Sequence, residues 1–432
     1  MPDKDTLQNI FPILNLPPTS YTELIKLHRA STKKIKKIFK IKILSNITVT
    51  PIKEILELTL WNNNINAQVK IGEYDNIVQD SLLKESNDCV IIYWELWNLF
   101  PNAASKLESL SKTEFFEIQN RLKNDLQLTV KNLQKNKLVL FNLFSNIPYN
   151  RSDGSRNRLN KLVDFGNKVL EDIKSSNLQL IDINQIHSLN AISQTVDFRY
   201  LHKAKSLYTP LFYRHYASIV CMNIIKIQGV VKKVLVLDCD NTLWKGVLGE
   251  DGINGIDMAS TSAVGSIFND VQLIFKGLKK KGVLICICTK NNQEDIDILL
   301  DSHPDLIIKR KDLVYISANW EPKPKNLKKI SKSLNLGLDS FVFIDDSNFE
   351  IGLMKEKLPE VVSLKVPEEL SKYPLFALNL SGIFNIENRT EEDASRTDMY
   401  QAEVLRKQHL KESNSVDSYL KSLNMRLSFF YD

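Results

Sequence analysis

Ten short apolar runs, separated by amphipathic stretches, constrain this chain more than any other feature. KIKILS (40–45), AQVKIG (67–72), CVIIYW (89–94), KLVLFNLF (137–144) and LQLIDI (178–183) form a first series. VLVLD (234–238), VLICICT (283–289), LIIK (306–309), FVFID (341–345) and VVSL (361–364) form a second. Short runs this rich in Val, Ile and Leu are the pattern of strands buried on both faces. Between them, stretches such as PIKEILELTLW (51–61), FFEIQNRLKNDLQLTVKNLQK (115–135), LNKLVDFGNKVLEDI (159–173), FNDVQLIFKGLKKK (268–281), QEDIDILLDS (293–302) and NLKKISKSLNL (326–336) repeat apolar residues at helical spacing. Strands alternating with helices imply α/β architecture with mostly parallel sheets. Two tandem α/β domains are expected, over 40–230 and 231–390, divided near IQGVVKK (227–233). A basic helical segment (1–39) precedes them, and the tail (391–432) reads as a charged helix followed by the strand-like NMRLSFFYD (424–432).

Several functional classes are disfavoured at once. No apolar run reaches the roughly 18 residues of a membrane span. The first residues, MPDKDTLQNIFPILNLPP, lack the basic start and long apolar core of a secretory signal. Cys89, Cys221, Cys239, Cys286 and Cys288 are odd in number and show no CxxC spacing, which fits reduced thiols in a cytoplasmic protein and argues against zinc. The net charge is only +6, but no acid falls between Leu24 and Lys53, where Lys26, Arg29, Lys33, Lys34, Lys36, Lys37, Lys40 and Lys42 crowd together. That patch is either a solvated helix face over an apolar stripe or a docking surface for an acidic partner. Nucleic acid is not expected, because no recognised motif or interleaved aromatic pattern accompanies the lysines.

VLVLDCDNTLW (234–244) carries the chemistry. A buried strand runs directly into Asp238 and Asp240, and ligand sites of parallel α/β sheets lie at such C-terminal strand ends. Strand alternation points both carboxylates into one crevice and turns Cys239 away. Like charges there need a cation. Hard oxygen donors without a His or Cys cluster suit Mg²⁺.

The DxDxT pattern resembles motif I of the haloacid dehalogenase (HAD) superfamily of phosphotransferases. Thr289, closing ICICT, matches its second motif, Lys323 in NWEPKPKN its third, and the Asp345–Asp346 pair in FVFIDD its fourth. The resemblance implies that Asp238 attacks phosphorus and that Asp240 acts as general acid, then base. It further implies that the Asp238 side chain, the Asp240 backbone carbonyl and the Asp346 side chain bind Mg²⁺, with Asp345 supporting. Thr289, with Lys290 and the amides that follow, would hold phosphate oxygens, Asn291 would contact substrate, and Lys323 would neutralise developing charge. Only 51 residues separate Asp238 from Thr289, and 34 separate Thr289 from Lys323, so neither gap has room for a large cap domain. An open site favours a substrate presented by a macromolecule, unless the N-terminal domain covers it.

LDCDNTLWKGVLGEDG (237–252) narrows the likeness to the FkbH-like branch of HAD subfamily III (IIIC). CTKNNQED (288–295), NWEPKPKNLKKI (319–330), LNLGLDSFVFIDDSNFE (334–350) and VDFRYLHKAKSLYTPLFYRHYASI (196–219) continue it. SNITVTPIKEILELTL (45–60) and IGEYDNIVQ (71–79) resemble that family's amino-terminal SGNH-hydrolase-like domain, so the likeness covers about residues 40–432. It implies dephosphorylation of 1,3-bisphosphoglycerate and loading of the glyceryl group onto the phosphopantetheine thiol of an acyl carrier protein in polyketide-type biosynthesis. The alternatives are a HAD phosphatase acting on another phosphoester and a non-catalytic carrier-docking scaffold. Cys239 is a candidate for a transient thioester, although alternation turns it toward the core. Ser45 stands where SGNH hydrolases place a nucleophile, but Asp182/His187 and Asp197/His202 lack the DxxH spacing of the base, so a non-catalytic first domain is expected. Three features depart from the pattern: Lys245 replaces a Gly, Pro324 stands where Ser is usual, and the chain ends near Asp432, where relatives continue into an acyltransferase-like region.

Overall fold

Strands that are apolar on both faces need cover on both faces, and each of the two sheets obtains it from helices. The computed structural model describes residues 14, 16–18, 20–31, 38–83, 85–96, 103–149, 158–228, 232–384 and 399–403. It divides into two compact units, Met1–Gln228 and Gly229–Asp432. In the first, β1 (Phe39–Ser45), β2 (Ala67–Ile71), β3 (Cys89–Tyr93), β4 (Leu138–Asn142) and β5 (Leu178–Ile181) form one sheet in the order β2-β1-β3-β4-β5. In the second, β6 (Val234–Leu237), β7 (Leu284–Thr289), β8 (Leu313–Ala318), β9 (Phe341–Asp345) and β10 (Val362–Lys365) run in the order β10-β9-β6-β7-β8. Every strand pair in both sheets is parallel. The architecture is α/β, as the alternating pattern implies.

Alternation sorts the core. In the first unit, Ile41, Ile43 and Ile91 pack on one side with Ile55 and Leu56 of the helix Ile52–Asn62 and with Tyr213 and Val220 of the helix Pro210–Ile227. Leu44, Val90 and Ile92 pack on the other side with Leu122 and Leu126 of the helix Lys112–Asn132 and Leu162 and Leu170 of the helix Arg158–Asp172. In the second unit, Val234, Val236 and Phe343 face Leu327 and Ile330 of the helix Lys323–Leu334 and Met354 of the helix Asn348–Lys357. The chain from Asp238 to Thr289 holds a loop, the short helix Leu248–Asp251 and the helix Gly265–Lys280; no additional domain is inserted there. From Thr289 to Lys323 it holds only the helix Gln293–Ser302, a single 3-10 turn and β8.

One expected strand is displaced. LIIK (306–309) is a loop, and the edge strand is LVYISA, Leu313–Ala318. The reason is Gln272, fully buried on the helix Gly265–Lys280: its Oε1 accepts from the backbone N–H groups of Ile307 (2.8 Å) and Ile308 (3.1 Å), replacing the ladder bonds a strand would make. Its Nε2 donates to the Leu243 carbonyl at 2.7 Å. The basic amino-terminal segment also differs from a single helix face. The helix Tyr21–Ala30, N-capped by Ser20, carries Lys26 and Arg29, whereas Lys40 and Lys42 lie in β1, with Lys42 buried and paired to Glu85 at 3.1 Å. Lys33, Lys34, Lys36 and Lys37 lie outside the described residues, as do the expected strand 424–432 and most of the expected tail helix. No helix among the described residues is long and apolar enough to cross a membrane.

Two predictions follow from these buried polar groups. Gln272→Leu would strand the buried Ile308 N–H and Leu243 carbonyl, at about 1–3 kcal/mol each, besides the half-buried Ile307 N–H; denaturant unfolding should show the second unit destabilised by at least about 2 kcal/mol. In the first unit, Glu95 is buried with its carboxylate accepting from the Tyr208 hydroxyl at 2.6 Å, and burial pushes its pKa up to about 7 from an ordinary 4.5. Its contribution to stability is therefore full below pH 4.5 and lost as pH rises through about 7. His187, lowered by burial to about 4 from 6.5, acts in the opposite sense: full above pH 6.5 and lost as pH falls through about 4. Glu95→Gln should remove the decline between pH 5 and pH 7, roughly the interval set by that shift, in a urea-unfolding series; an unchanged pH profile would contradict the assignment.

Candidate active site

β6 lies at the centre of the second sheet. The chain leaves it first toward β7 and β8, then returns to its other side at β9, so the strand order reverses between β6 and β9. A crevice opens at the C-terminal ends of strands at such a reversal. The ladder pairs Leu237 with Ile344, and the Asp238 N–H continues it to the Ile344 carbonyl at 3.0 Å. That register sets Asp238 beside Asp345.

The side chains of Asp238, Asp345 and Asp346 each place a carboxylate oxygen within 4.8 Å of the others. Lys323, buried at the start of its helix, bridges two of them: its Nζ lies 2.8 Å from Asp238 Oδ1 and 2.6 Å from Asp345 Oδ2. Burial, then the charge of Asp238, raises the Asp345 carboxyl to about 6; the same two causes raise Asp346. Burial also raises Asp238, against the pull of Lys323. Burial alone would lower the Lys323 ammonium, but Asp238 and Asp345 outweigh it and hold it charged. Three carboxylates facing one ammonium leave an excess of negative charge that a hard divalent cation would offset, and oxygen donors alone suit Mg²⁺. Pro324 follows Lys323 in the first helical turn, where its missing N–H has no intrahelical partner to lose.

Asp240 is oriented differently from the expectation of two carboxylates converging on one ion. Its Oδ1 accepts from the Trp244 indole N–H and the Leu248 backbone N–H, both at 3.0 Å, and its Oδ2 accepts from Asn291 Nδ2 at 2.9 Å. The turn that aims it is tight: Thr242 and Leu243 both donate to the Cys239 carbonyl, and Asn241 sits at φ 51°. Asn241 Oδ1 then accepts from Lys245 Nζ (3.0 Å) and from the Gly246 N–H (3.3 Å). Gly246 is at φ 107°, and a Cβ there would lie 2.8 Å from an Asp251 carboxylate oxygen, so glycine is required.

The remaining expected residues divide. Thr289 ends β7, fully buried, and its hydroxyl accepts from Asn291 at 3.0 Å, which ties Thr289, Asn291 and Asp240 together. Lys290 points elsewhere: its ammonium pairs with Glu350 at 2.6 Å and lies 5.9 Å from the centre of the Phe349 ring. Cys239 is fully buried, and burial followed by Asp238 and Asp240 pushes its thiol far above the ordinary range. A thiol that is both inaccessible and protonated is a poor acyl acceptor. In the first unit, the Ser45 hydroxyl is closed into its own turn, donating to the Ile47 carbonyl at 2.9 Å, and His187 Nδ1 pairs with Thr195, not with Ser45. The sequence assigns no role to Trp244, although its spacing four residues beyond Asp240 is a readable cue to the contact.

No protein-family model matches the chain. No curated protein matches it. Among solved structures, it is similar to the N-terminal part of the protein BF1531 from Bacteroides fragilis, containing a phosphatase domain complexed with Mg. Identity is 25%, the TM-score is 0.69, and the match covers 84% of this chain and 98% of that one. This likeness, with the topology above, makes the second unit HAD-like in fold. UDP-GlcNAc 2-epimerase from Neisseria meningitidis (13% identity, 86% of this chain and 100% of that one) and D-lactate dehydrogenase from Escherichia coli (10%, 87% and 98%) reach TM-scores of only 0.18 and 0.16, too low for a shared fold.

If the three clustered carboxylates hold Mg²⁺, the ion at about a hundredfold its dissociation constant should stabilise the second unit by about 2.7 kcal/mol. Thermal unfolding with and without the ion should show that gain, and Asp346→Asn should lose it; an equal gain in the variant would remove Asp346 from the site.

Proposed function

We propose that the second unit is an Mg²⁺-dependent phosphotransferase that works through an aspartyl-phosphate on Asp238. The observation that carries this reading is the Lys323 ammonium bridging Asp238 and Asp345, with Asp346 beside them at the strand-order reversal. The Mg-complexed phosphatase domain of the similar BF1531 fragment supports it. Asp238, Asp346 and the Asp240 backbone carbonyl would hold the ion, with Asp345 supporting through Lys323. When bound, Mg²⁺ supplies positive charge that offsets the phosphoryl oxygens.

The side chains of this protein then divide the work. A carboxylate oxygen of Asp238 forms a bond to phosphorus as the bond to the leaving oxygen breaks, and Asp240 gives that oxygen a proton. Asp240 then takes a proton from water attacking the aspartyl-phosphate, which releases phosphate and restores Asp238. The contacts from Trp244, Leu248 and Asn291 orient Asp240 for both transfers. Thr289 and the amides after it would donate to the phosphoryl oxygens, and Lys323 limits the build-up of charge.

For the substrate, the proposal is 1,3-bisphosphoglycerate, with the glyceryl group passing to an acyl carrier protein in the cytoplasm. The thiol sulfur bonds to C1 and displaces the C1 phosphate, with loss of the thiol proton; the aspartate site removes the phosphate at C3. A site without an inserted cap supports delivery by a macromolecule. Incubation with 1,3-bisphosphoglycerate, Mg²⁺ and holo-carrier, followed by intact mass of the carrier, tests this. A glyceryl gain supports the transfer, phosphate release without gain points to another phosphoester, and neither result leaves a docking scaffold. Asp238→Asn should reduce phosphate release to background; retained turnover would remove Asp238 as the nucleophile.

A further inference from the structure

The two most exposed large apolar side chains among the described residues are Trp320 and Phe349, at 70% and 69%. Both flank the candidate site: Trp320 stands three residues before Lys323, and Phe349 three residues after Asp346. Each leans on the loop that follows β7. The Trp320 indole donates to Asn292 Oδ1 at 3.1 Å, and the Lys290 ammonium lies 5.9 Å from the centre of the Phe349 ring. Neither ring is packed into the core, so their apolar area remains open to water at a cost of about 25 cal/mol per Å².

Beside Trp320 begins a helix that is basic along its outer face. Lys325, Lys328, Lys329 and Lys332 are all exposed on the helix Lys323–Leu334, which contains no acid. Their spacing forms one stripe about 10 Å long. Glu321, next to Trp320, pairs with Lys325 at 2.6 Å and also with Lys329. Lys328 and Lys332 have no acidic partner among the described residues.

We propose that this lysine stripe, with Trp320 and Phe349 as apolar anchors at its site end, docks an acidic protein that extends a flexible thiol-bearing arm over the carboxylates. A complementary acidic surface would meet the stripe and speed the encounter, while Trp is among the residues enriched at the energetic centres of protein interfaces. The inference rests on the reading of the second unit as a site with a macromolecule-borne acceptor, and it assigns docking to a surface other than the lysine-rich segment 24–53.

The experiment measures binding of the full chain to holo-acyl carrier protein by surface plasmon resonance at low and high salt, with phosphate release from a small phosphoester assayed separately. The wild-type protein should bind and weaken with salt. Lys328→Glu/Lys332→Glu and Trp320→Ala should each bind about tenfold more weakly, about 1.4 kcal/mol, and the double lysine variant should release phosphate as the wild type does. Equal binding by wild type and both variants, no binding by a wild type that releases phosphate, or capture of duplex DNA in place of the carrier would overturn the docking surface. Carrier binding with the predicted losses, but no phosphate release by any form, would support the surface and sink the phosphatase reading.

Discussion

The Lys323 ammonium, enclosed between Asp238 and Asp345, is the interaction on which the arrangement of the second unit turns. Parallel pairing of β6 with β9 brings two carboxylates side by side where both strands end, and burial magnifies their repulsion. One ammonium, delivered from the first residue of the helix that precedes β9, offsets it. Removing one member of a buried, hydrogen-bonded charge pair costs about 3–5 kcal/mol, so the same contact fixes the helix start, the strand ends and the charge available to a ligand. Asp346 adds a further carboxylate to the cluster, which on the proposed reading would help hold a cation.

Around that centre, the structure separates rigid parts from adaptable ones. Asp238, Thr289 and Asp345 sit at the ends of buried strands, and Lys323 begins a helix whose apolar side is packed against the sheet. Asp240 depends instead on a turn that needs Asn241 and Gly246 in left-handed conformations and on Trp244 and Asn291 as partners. The exposed rings of Trp320 and Phe349 lie outside both layers. On the proposed reading, such a division would hold a phosphoryl group in one geometry and leave the rim to a large partner.

Much of this was legible in the residues because parallel strands buried on both faces leave continuous Val- and Ile-rich runs, and nine of the ten expected runs coincide with strands. The exception, LIIK, is apolar enough for a strand, but the decisive group is a side-chain amide 34 residues earlier, which no local pattern reveals. The order of Asp238, Thr289, Lys323 and Asp345–Asp346 along the chain was readable because each ends or follows a strand. The direction of the Asp240 carboxylate was not, since the turn after β6 breaks the strand alternation. Lys290, which the resemblance assigns to phosphate, is paired instead with Glu350, sixty residues away in sequence.

Rapid acid quench of the full chain mixed with Mg²⁺ and a phosphoester labelled at phosphorus, followed by peptide mapping, tests the central claim most directly. The account predicts label on the peptide carrying Asp238, at the Asp238 side chain, within the first turnover. Label on a different residue, or phosphate released with no labelled protein at any time point, would contradict it.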